Sequence, residues 1–406
     1  MTTTSSPSTD SLPTTNRSAI TAGLLAILAL LSAVAPFATD LYLPAFPVMA
    51  AELGTDATGV QLTLTAFLIG VALGQLVFGP LSDRVGRRLP LLIGALVFVA
   101  SSVATIFAPT LEVLIAARLL QGLSGAAGMV LGRAVISDLA TGPAVARAMS
   151  LMMIVGGVAP VVAPLVGGAI TAPLGWRGVL AVVLGIAVLM LVAVSFGIRE
   201  SLPRSRREEL ALLKRSAGSP LRALLSRDYI GYTLTFAFAF TVMMAYISAS
   251  PFLYQSLMGV NELQYGLLFG VNALALMVSS AVSAKLVERV HPRRLIAIGL
   301  GGVAVGAVGF LVLALIAAPA WTLGVAVFLA VASLGTVFGN ATALALDAVP
   351  GAAGSASAVL GALQFGLAAV VSPLVSIGGE DSALPLGIVM VVATAISAVA
   401  FRIARR

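Results

Sequence analysis

Four constellations of charge, proline and glycine interrupt an otherwise apolar chain. Asp40 closes the first apolar run and is followed by Pro44 and Pro47; Arg118 lies inside the fourth run. A charged turn, Gly79-Pro80-Leu81-Ser82-Asp83-Arg84-Val85-Gly86-Arg87-Arg88, separates the second from the third, and Pro160, Ala163, Pro164, Gly167 and Gly168 share the fifth. A carboxylate inside an apolar bundle costs about 2.5–3.5 kcal/mol on insertion scales, so a retained one points to function. Dry surroundings favour the neutral form and water or a nearby cation favours the ionised form, so a carboxyl exposed alternately to two sides can load and release a proton. This assigns proton coupling to Asp40. The competing reading, that Asp40 merely begins the following loop, rests on its distance of about 35 Å from Arg17 at 1.5 Å per residue.

Arg118 stands about 22 Å from Arg133 along the same helix. A guanidinium at that depth must face a cavity, a carboxylate or backbone carbonyls. It can serve Asp40 or an electronegative substrate, or tie down a helix break. In the charged turn, Gly79 would allow close helix approach, Gly86 a tight turn, and Asp83 a hydrogen-bond acceptor for a helix N-terminus. Its arginines, Arg84, Arg87 and Arg88, would anchor it at the membrane surface. In the fifth run, Pro160 and Pro164 remove two backbone donors from one face, while Gly156, Gly157, Gly167 and Gly168 expose backbone for tight packing.

The elements that must position these residues follow from composition. Hydrophobic residues make up 59% of the chain and charged ones 10%, against roughly 25% charged in a soluble domain. The expected fold is an all-α membrane protein. Twelve apolar runs, each near the roughly 20 residues that span a bilayer, lie near 18–38, 58–81, 89–108, 112–134, 148–171, 177–198, 229–253, 264–286, 294–316, 319–345, 353–376 and 383–402. A weaker copy of the charged turn, Ala284-Lys285-Leu286-Val287-Glu288-Arg289-Val290-His291-Pro292-Arg293, returns half a chain later without the glycines. Duplication of a six-helix unit explains it. The expected organisation is a tail over 1–17, six-helix bundles over 18–198 and 229–406, and a linker over 199–228 that reads as a solvated tether.

Basic loops resist translocation. With both termini cytoplasmic, all of the 23 basic residues except Arg118 and Arg177 fall on the cytoplasmic side. The net charge of +7 is thus a topology signal, and nucleic acid is not an expected partner. The expected partners are the bilayer, protons and a small molecule, with the chain a monomer. His291 reads as a solvated turn residue. The absence of cysteine excludes disulfides, thiol catalysis and thiolate metal sites. Lacking paired carboxylates on a membrane helix, the chain is not expected to be an enzyme, and no metal or cofactor is expected beyond the proton gradient.

The motif at 79–88 resembles the signature loop of the major facilitator superfamily, and Arg118-Leu-Leu-Gln121-Gly122 resembles that superfamily's fourth-helix proton motif. Ala159-Pro160-Val-Val-Ala163-Pro164-Leu-Val-Gly167-Gly168 is similar to the fifth-helix pattern of its drug/proton antiporters, with Ala163 where glycine is common. Asp40-Leu-Tyr42-Leu-Pro44-Ala-Phe46-Pro47, and Asn340-Ala-Thr-Ala-Leu-Ala-Leu-Asp347 followed by Ala353-Gly354-Ser355-Ala356-Ser357-Ala358, are similar to the bicyclomycin and chloramphenicol resistance branch. The resemblance implies two six-helix bundles around a central cavity, proton-driven export of small amphipathic antimicrobials from the bacterial cytoplasmic membrane, and a cytoplasmic gate at the 79–88 loop. No second acidic residue lies between Arg17 and Asp40, which points away from cationic drugs. Tyr42, Gln121, Phe236, Phe240, Met243, Tyr246, Asn272, Asn340 and Gln364 are the candidate substrate contacts. The aromatic ones equally suit a lipid-facing surface, and the polar ones equally suit ties between helices. Proton-coupled transport of a sugar or nucleoside on the same fold is the alternative, because fold does not fix substrate.

Overall fold

A computed structural model describes residues 21–140, 143–209, 224–349, 353–377, 379 and 382–404. The expected tail over 1–17, residues 210–223 of the linker, and Glu380, Asp381, Arg405 and Arg406 lie outside the described residues. The elements are α1 Ala22–Asp40, a 3₁₀ turn Leu43–Ala45, α2 Phe46–Glu52, α3 Ala57–Val85, α4 Arg88–Ile106, α5 Leu111–Leu139 and α6 Pro143–Gly197. The second half follows with α7 Arg227–Pro251, a π-helical turn Phe252–Leu257, α8 Glu262–Leu286, α9 Pro292–Leu315, α10 Ala320–Asp347, α11 Ala353–Leu374 and α12 Leu384–Ile403.

Among the described residues, eleven helical runs are long and apolar enough to cross a bilayer. One of them crosses twice. α6 leaves helical geometry at Gly175, whose φ of 63° favours glycine. Its first arm has Met152 beside Gly132 near the start of α1 and Gly167 against Leu41 at the end of α1. The second arm starts with Trp176 on Glu52 and ends with Gly197 against Ile27, so it runs back. The twelve crossings are those the apolar runs predict.

Helix ends are set locally. Asp56 accepts from the Gly59 amide at 2.8 Å, Ser226 from the Tyr229 amide at 3.3 Å, and Asn261 with Gln264 forms a capping box. His291 is exposed in its turn. Its Nδ1 accepts from the Arg293 amide and caps α9.

Packing divides the helices into two groups. α3 lies on α5, α4 on α5 and α6, and α1 on α6; in the second group α9 lies on α10, α12 on α7, and α10 on α7 and α8. Two pairs cross between the groups: α3 with α11, and α6 with α8. By order of crossing these are second with eleventh and fifth with eighth. Adding six to each number exchanges the two pairs, the relation a pseudo-two-fold axis requires. Outward faces carry Leu73, Val77, Leu96, Val188, Val271, Ile298, Val305 and Val325, all exposed and apolar, a surface suited to lipid and not to water.

Candidate functional site

The backbone breaks immediately after Asp40, inside the protein. Pro44 has no amide hydrogen for the Asp40 carbonyl and Pro47 none for that of Leu43, so the chain closes a 3₁₀ turn, Ala45 N to Tyr42 O at 3.0 Å, before α2 resumes. Asp40 is 4% exposed. It does not begin a solvated loop.

The break leaves carbonyls at the end of α1 without helical partners, and Arg118 takes one of them. Its Nη2 donates to Ala38 O at 2.9 Å and its Nη1 to Gln121 Oε1 at 2.5 Å. The guanidinium carbon lies 4.4 Å from the ring centroids of both Tyr42 and Phe67. A cation at a helix C-terminus is favoured by the helix dipole, and the two rings add cation–π attraction. Gln121 passes the chain on to Ser102 of α4 at 2.7 Å. Arg118 is fully buried, and its Nε has no acceptor among the described residues. Its bonds run to the break beside Asp40, and no ion pair with Asp40 forms among the described residues.

Tyr42 and Gln121 therefore belong to the interior of the first half, where they hold Arg118; Tyr42 also shares a hydrogen bond with Thr63 at 3.2 Å. Both were expected on the substrate cavity; here Gln121 bonds Arg118 and Ser102, and Tyr42 lies against the Arg118 guanidinium. Asn340 is likewise a helix tie, donating to Ser283 Oγ and Thr336 O, each at 2.8 Å. Phe236 and Phe240 are buried, not lipid-facing. They pack with Phe338 and Phe365 in a four-ring cluster with centroids 5.5–6.1 Å apart. Met243 and Gln364 are half-buried. Asn272 joins Tyr246 at 3.0 Å.

The fifth-run residues serve the break and the interface together. A Cβ on Gly167 would lie 1.9 Å from Leu41 O, and one on its neighbour Gly168 would lie 2.3 Å from Glu262 O in the other half. Pro164 presents its carbonyl to Gly266 of α8, where a Cβ would lie 2.6 Å away, and Ala163 is fully buried. Pro160 is half-buried. Gly156 and Gly157 have nothing within 4 Å of a Cβ, so the tight packing expected of them is absent.

Among the described residues, three side-chain hydrogen bonds join the halves at the Asp40 end. Gln61 donates to Ser248 O at 2.9 Å, Gln255 to Pro44 O at 3.0 Å, and Thr58 to Ser376 O at 3.3 Å. Phe46 and Phe252 meet there with ring centroids 6.3 Å apart. At the other side of the membrane midpoint, Gly361 of α11 lies against the Gln75 amide of α3.

The charged turn is shorter than the motif suggests, because α3 continues through Val85. Gly86 alone needs its special backbone, with φ 100°. Gly79 has no close neighbour: a Cβ there would be 4.0 Å from Val130. Arg87 is not a surface anchor but a buried hub. It donates to Asp138 at 2.9 Å, to Asp83 at 2.7 Å and to Ser82 Oγ at 2.6 Å. Burial opposes its charge, yet Asp138 and Asp83 outweigh that and hold its pKa above the ordinary arginine value. The N-terminus of α4 is capped not by Asp83 but by Glu200, which accepts from the amides of Arg87 at 2.8 Å, Arg88 at 3.2 Å and Leu202 at 2.9 Å. Burial works against the Glu200 charge, but these three amides and Arg207 prevail and hold its carboxyl below the usual glutamate range. Ser201 donates to Asp138 at 3.0 Å and Arg207 to Arg84 O at 3.1 Å. The stretch from Glu200 to Arg207 is thus seated under the turn and is not a tether. Arg88 donates to Ser195 O, and the Arg84 side chain is exposed.

Sequence reasoning missed Glu200, Asp138, Gln61 and Gln255. Glu200 and Asp138 carried a signal, as carboxylates beside two helix ends on the basic side.

The Major Facilitator Superfamily profile matches residues 28–373. The chain belongs to this superfamily. An uncharacterized MFS-type transporter, YdgK, of Bacillus subtilis is 37% identical over 92% of this chain and 93% of its own. A bicyclomycin resistance protein homolog of Haemophilus influenzae is 29% identical over 92% and 94%. The latter, and a chloramphenicol resistance protein of Pseudomonas aeruginosa that is 30% identical over 82% of this chain and 79% of its own, agree with the resemblance to bicyclomycin and chloramphenicol resistance transporters, which are not enzymes. The crystal structure of a D-xylose-proton symporter superposes with a TM-score of 0.75 at 18% identity, covering 92% of this chain and 96% of that one, which shows the shared fold.

Proposed function

We propose that this major facilitator protein is a proton-coupled antiporter that exports small amphipathic antimicrobials across the bacterial cytoplasmic membrane. The observation that carries the reading is Asp40: a carboxyl buried at a proline-made helix break, beside a buried arginine, behind the hydrogen-bonded seal between the halves. A carboxyl there exchanges protons with one side when the seal opens and with the other when it closes. Proton and drug then compete for, or alternate between, two global states, and reciprocal coupling follows. The basic end, with Arg84, Arg87 and Arg88, is cytoplasmic, and the Asp40 end faces out. Resistance relatives support a drug substrate over a sugar or nucleoside. In this reading the captured state is closed to the outside.

The test is accumulation of chloramphenicol-type drugs in pump-deficient cells, with and without a protonophore. Expression should lower accumulation only while the gradient stands, and Asp40→Asn at normal membrane levels should abolish the effect. Unchanged accumulation across a broad panel would sink drug export and promote metabolite transport.

A further inference from the structure

The second half holds a polar cluster that the proton site does not use. Asn272 of α8 is 4% exposed and donates from Nδ2 to Tyr254 OH at 2.8 Å, Tyr246 OH at 3.0 Å and Leu268 O at 3.2 Å. Two amide hydrogens serve three acceptors, and the Leu268 carbonyl fixes which end of the amide is nitrogen. The other end, Oδ1, is buried and accepts nothing among the described residues. Both tyrosine hydroxyls accept from Asn272, and each carries one hydrogen of its own. Hydroxyl hydrogens and one carbonyl oxygen remain. Together they are the complement of a single hydroxyl or amide group, which both donates and accepts.

The surroundings narrow the ligand. Tyr246 stacks on Phe269 at 5.6 Å, and Tyr254 meets Tyr265 at 6.0 Å. Tyr265 has no hydrogen to spare: Ser250 gives its own to Ile247 O at 2.8 Å, so Tyr265 must donate into Ser250 at 2.9 Å. The cluster makes no ion pair among the described residues. Tyr265 adjoins Gly266, which packs on the Pro164 carbonyl one turn from Gly167, the residue against Leu41, so the cluster sits beside the proton site from the opposite half. Tyr254 is carried by the π-helical turn after Pro251. Such turns strain the helix and concentrate at functional sites.

We propose that Asn272, Tyr246 and Tyr254 form a subsite for one neutral hydroxyl or amide group of the transported molecule, walled by Phe269 and Tyr265. The inference rests on the transport reading above and names the chemistry of its substrate. It accounts for a buried acceptor and donor that an apolar trio would not leave unpaired.

The test is equilibrium binding to the purified full-length protein. The probes are chloramphenicol and three analogues: fluorine for the primary hydroxyl, hydrogen for the secondary hydroxyl, and an N-methylated amide. Wild type should bind one analogue about tenfold more weakly than the parent, and Asn272→Leu should bind that analogue and the parent alike. Tyr254→Phe, which keeps the ring, should reduce the preference without loss of folded protein. If wild type binds all four alike, if Asn272→Leu keeps the preference, or if none of the four binds, the subsite is overturned and the cluster is a water-filled or structural tie. Proton-driven uptake into inverted vesicles separates the two readings. Discrimination in binding without transport leaves the subsite standing and removes drug efflux; transport without discrimination does the reverse.

Discussion

Arg118, buried, and Glu200, exposed, show how a charged group can rest chiefly on backbone partners. Arg118 satisfies Ala38 O and Gln121 while lying between Tyr42 and Phe67. Arg118→Ala leaves both acceptors buried and unpaired, a loss of about 2–6 kcal/mol at about 1–3 kcal/mol per orphaned group. Arg118→Lys should recover less than half of it, because an ammonium cannot span both acceptors while stacked between two rings; thermal melting in detergent reads both. Glu200 is held below the usual glutamate range, so its contribution is fully present above about pH 4.5, its ordinary value, and is lost as pH falls through the lower folded value. Glu200→Gln should melt at lower temperature than wild type at pH 7, with the gap closing on acidification. A gap independent of pH would show that the amides, and not the charge, matter.

At the scale of helices, packing is decided by glycines at crossings. Gly122 of α5 would place a Cβ 2.0 Å from Phe67 O, and Gly70 of α3 one 2.2 Å from Leu119 O, so α3 and α5 touch backbone to backbone. Gly122→Val must push two helices apart and should cost at least about 1–3 kcal/mol, seen as loss of monodisperse protein on size exclusion. Gly156→Ala meets nothing within 4 Å and should be neutral or slightly stabilising, within about 1 kcal/mol. Both glycines look alike in the chain. The repeated basic turn makes the same point: its first copy became an ion-pair hub around Arg87, whereas in the second Arg293 bonds Tyr232 and Ala404 O and lies 4.9 Å from the Phe401 ring.

For the whole molecule, the proposed exchange requires that α3 part from α11, and α6 from α8, at the Asp40 end. The chain has no cysteine, so a pair introduced as Thr58→Cys and Ser376→Cys can be joined by a short bifunctional maleimide without background. Linking should leave the fold intact and stop exchange, and cleavage of a reducible linker should restore it. Exchange that persists after complete linking would show that this seal does not open during transport. The same background tests sidedness: single cysteines at Arg84 and at Thr58 should react with an impermeant reagent from opposite faces of the membrane.

Apolar run lengths, the spread of arginine and the turn at 79–88 were enough to determine twelve crossings, two halves and the superfamily, because lipid forces each crossing into a helix of fixed length with its backbone satisfied internally. The same reasoning singled out Asp40 and Arg118, since a charge in an apolar run is conspicuous whatever it touches. What it touches was decided only by tertiary structure. Tyr42 and Gln121 turned inward to hold Arg118, Asn340 became a tie, Glu200 displaced Asp83 as a cap, and Asn272 met two tyrosines from another helix and a π-turn. Those outcomes depend on which faces of distant helices meet. A one-dimensional pattern records burial and charge along each helix, but not the rotation that brings one face against another.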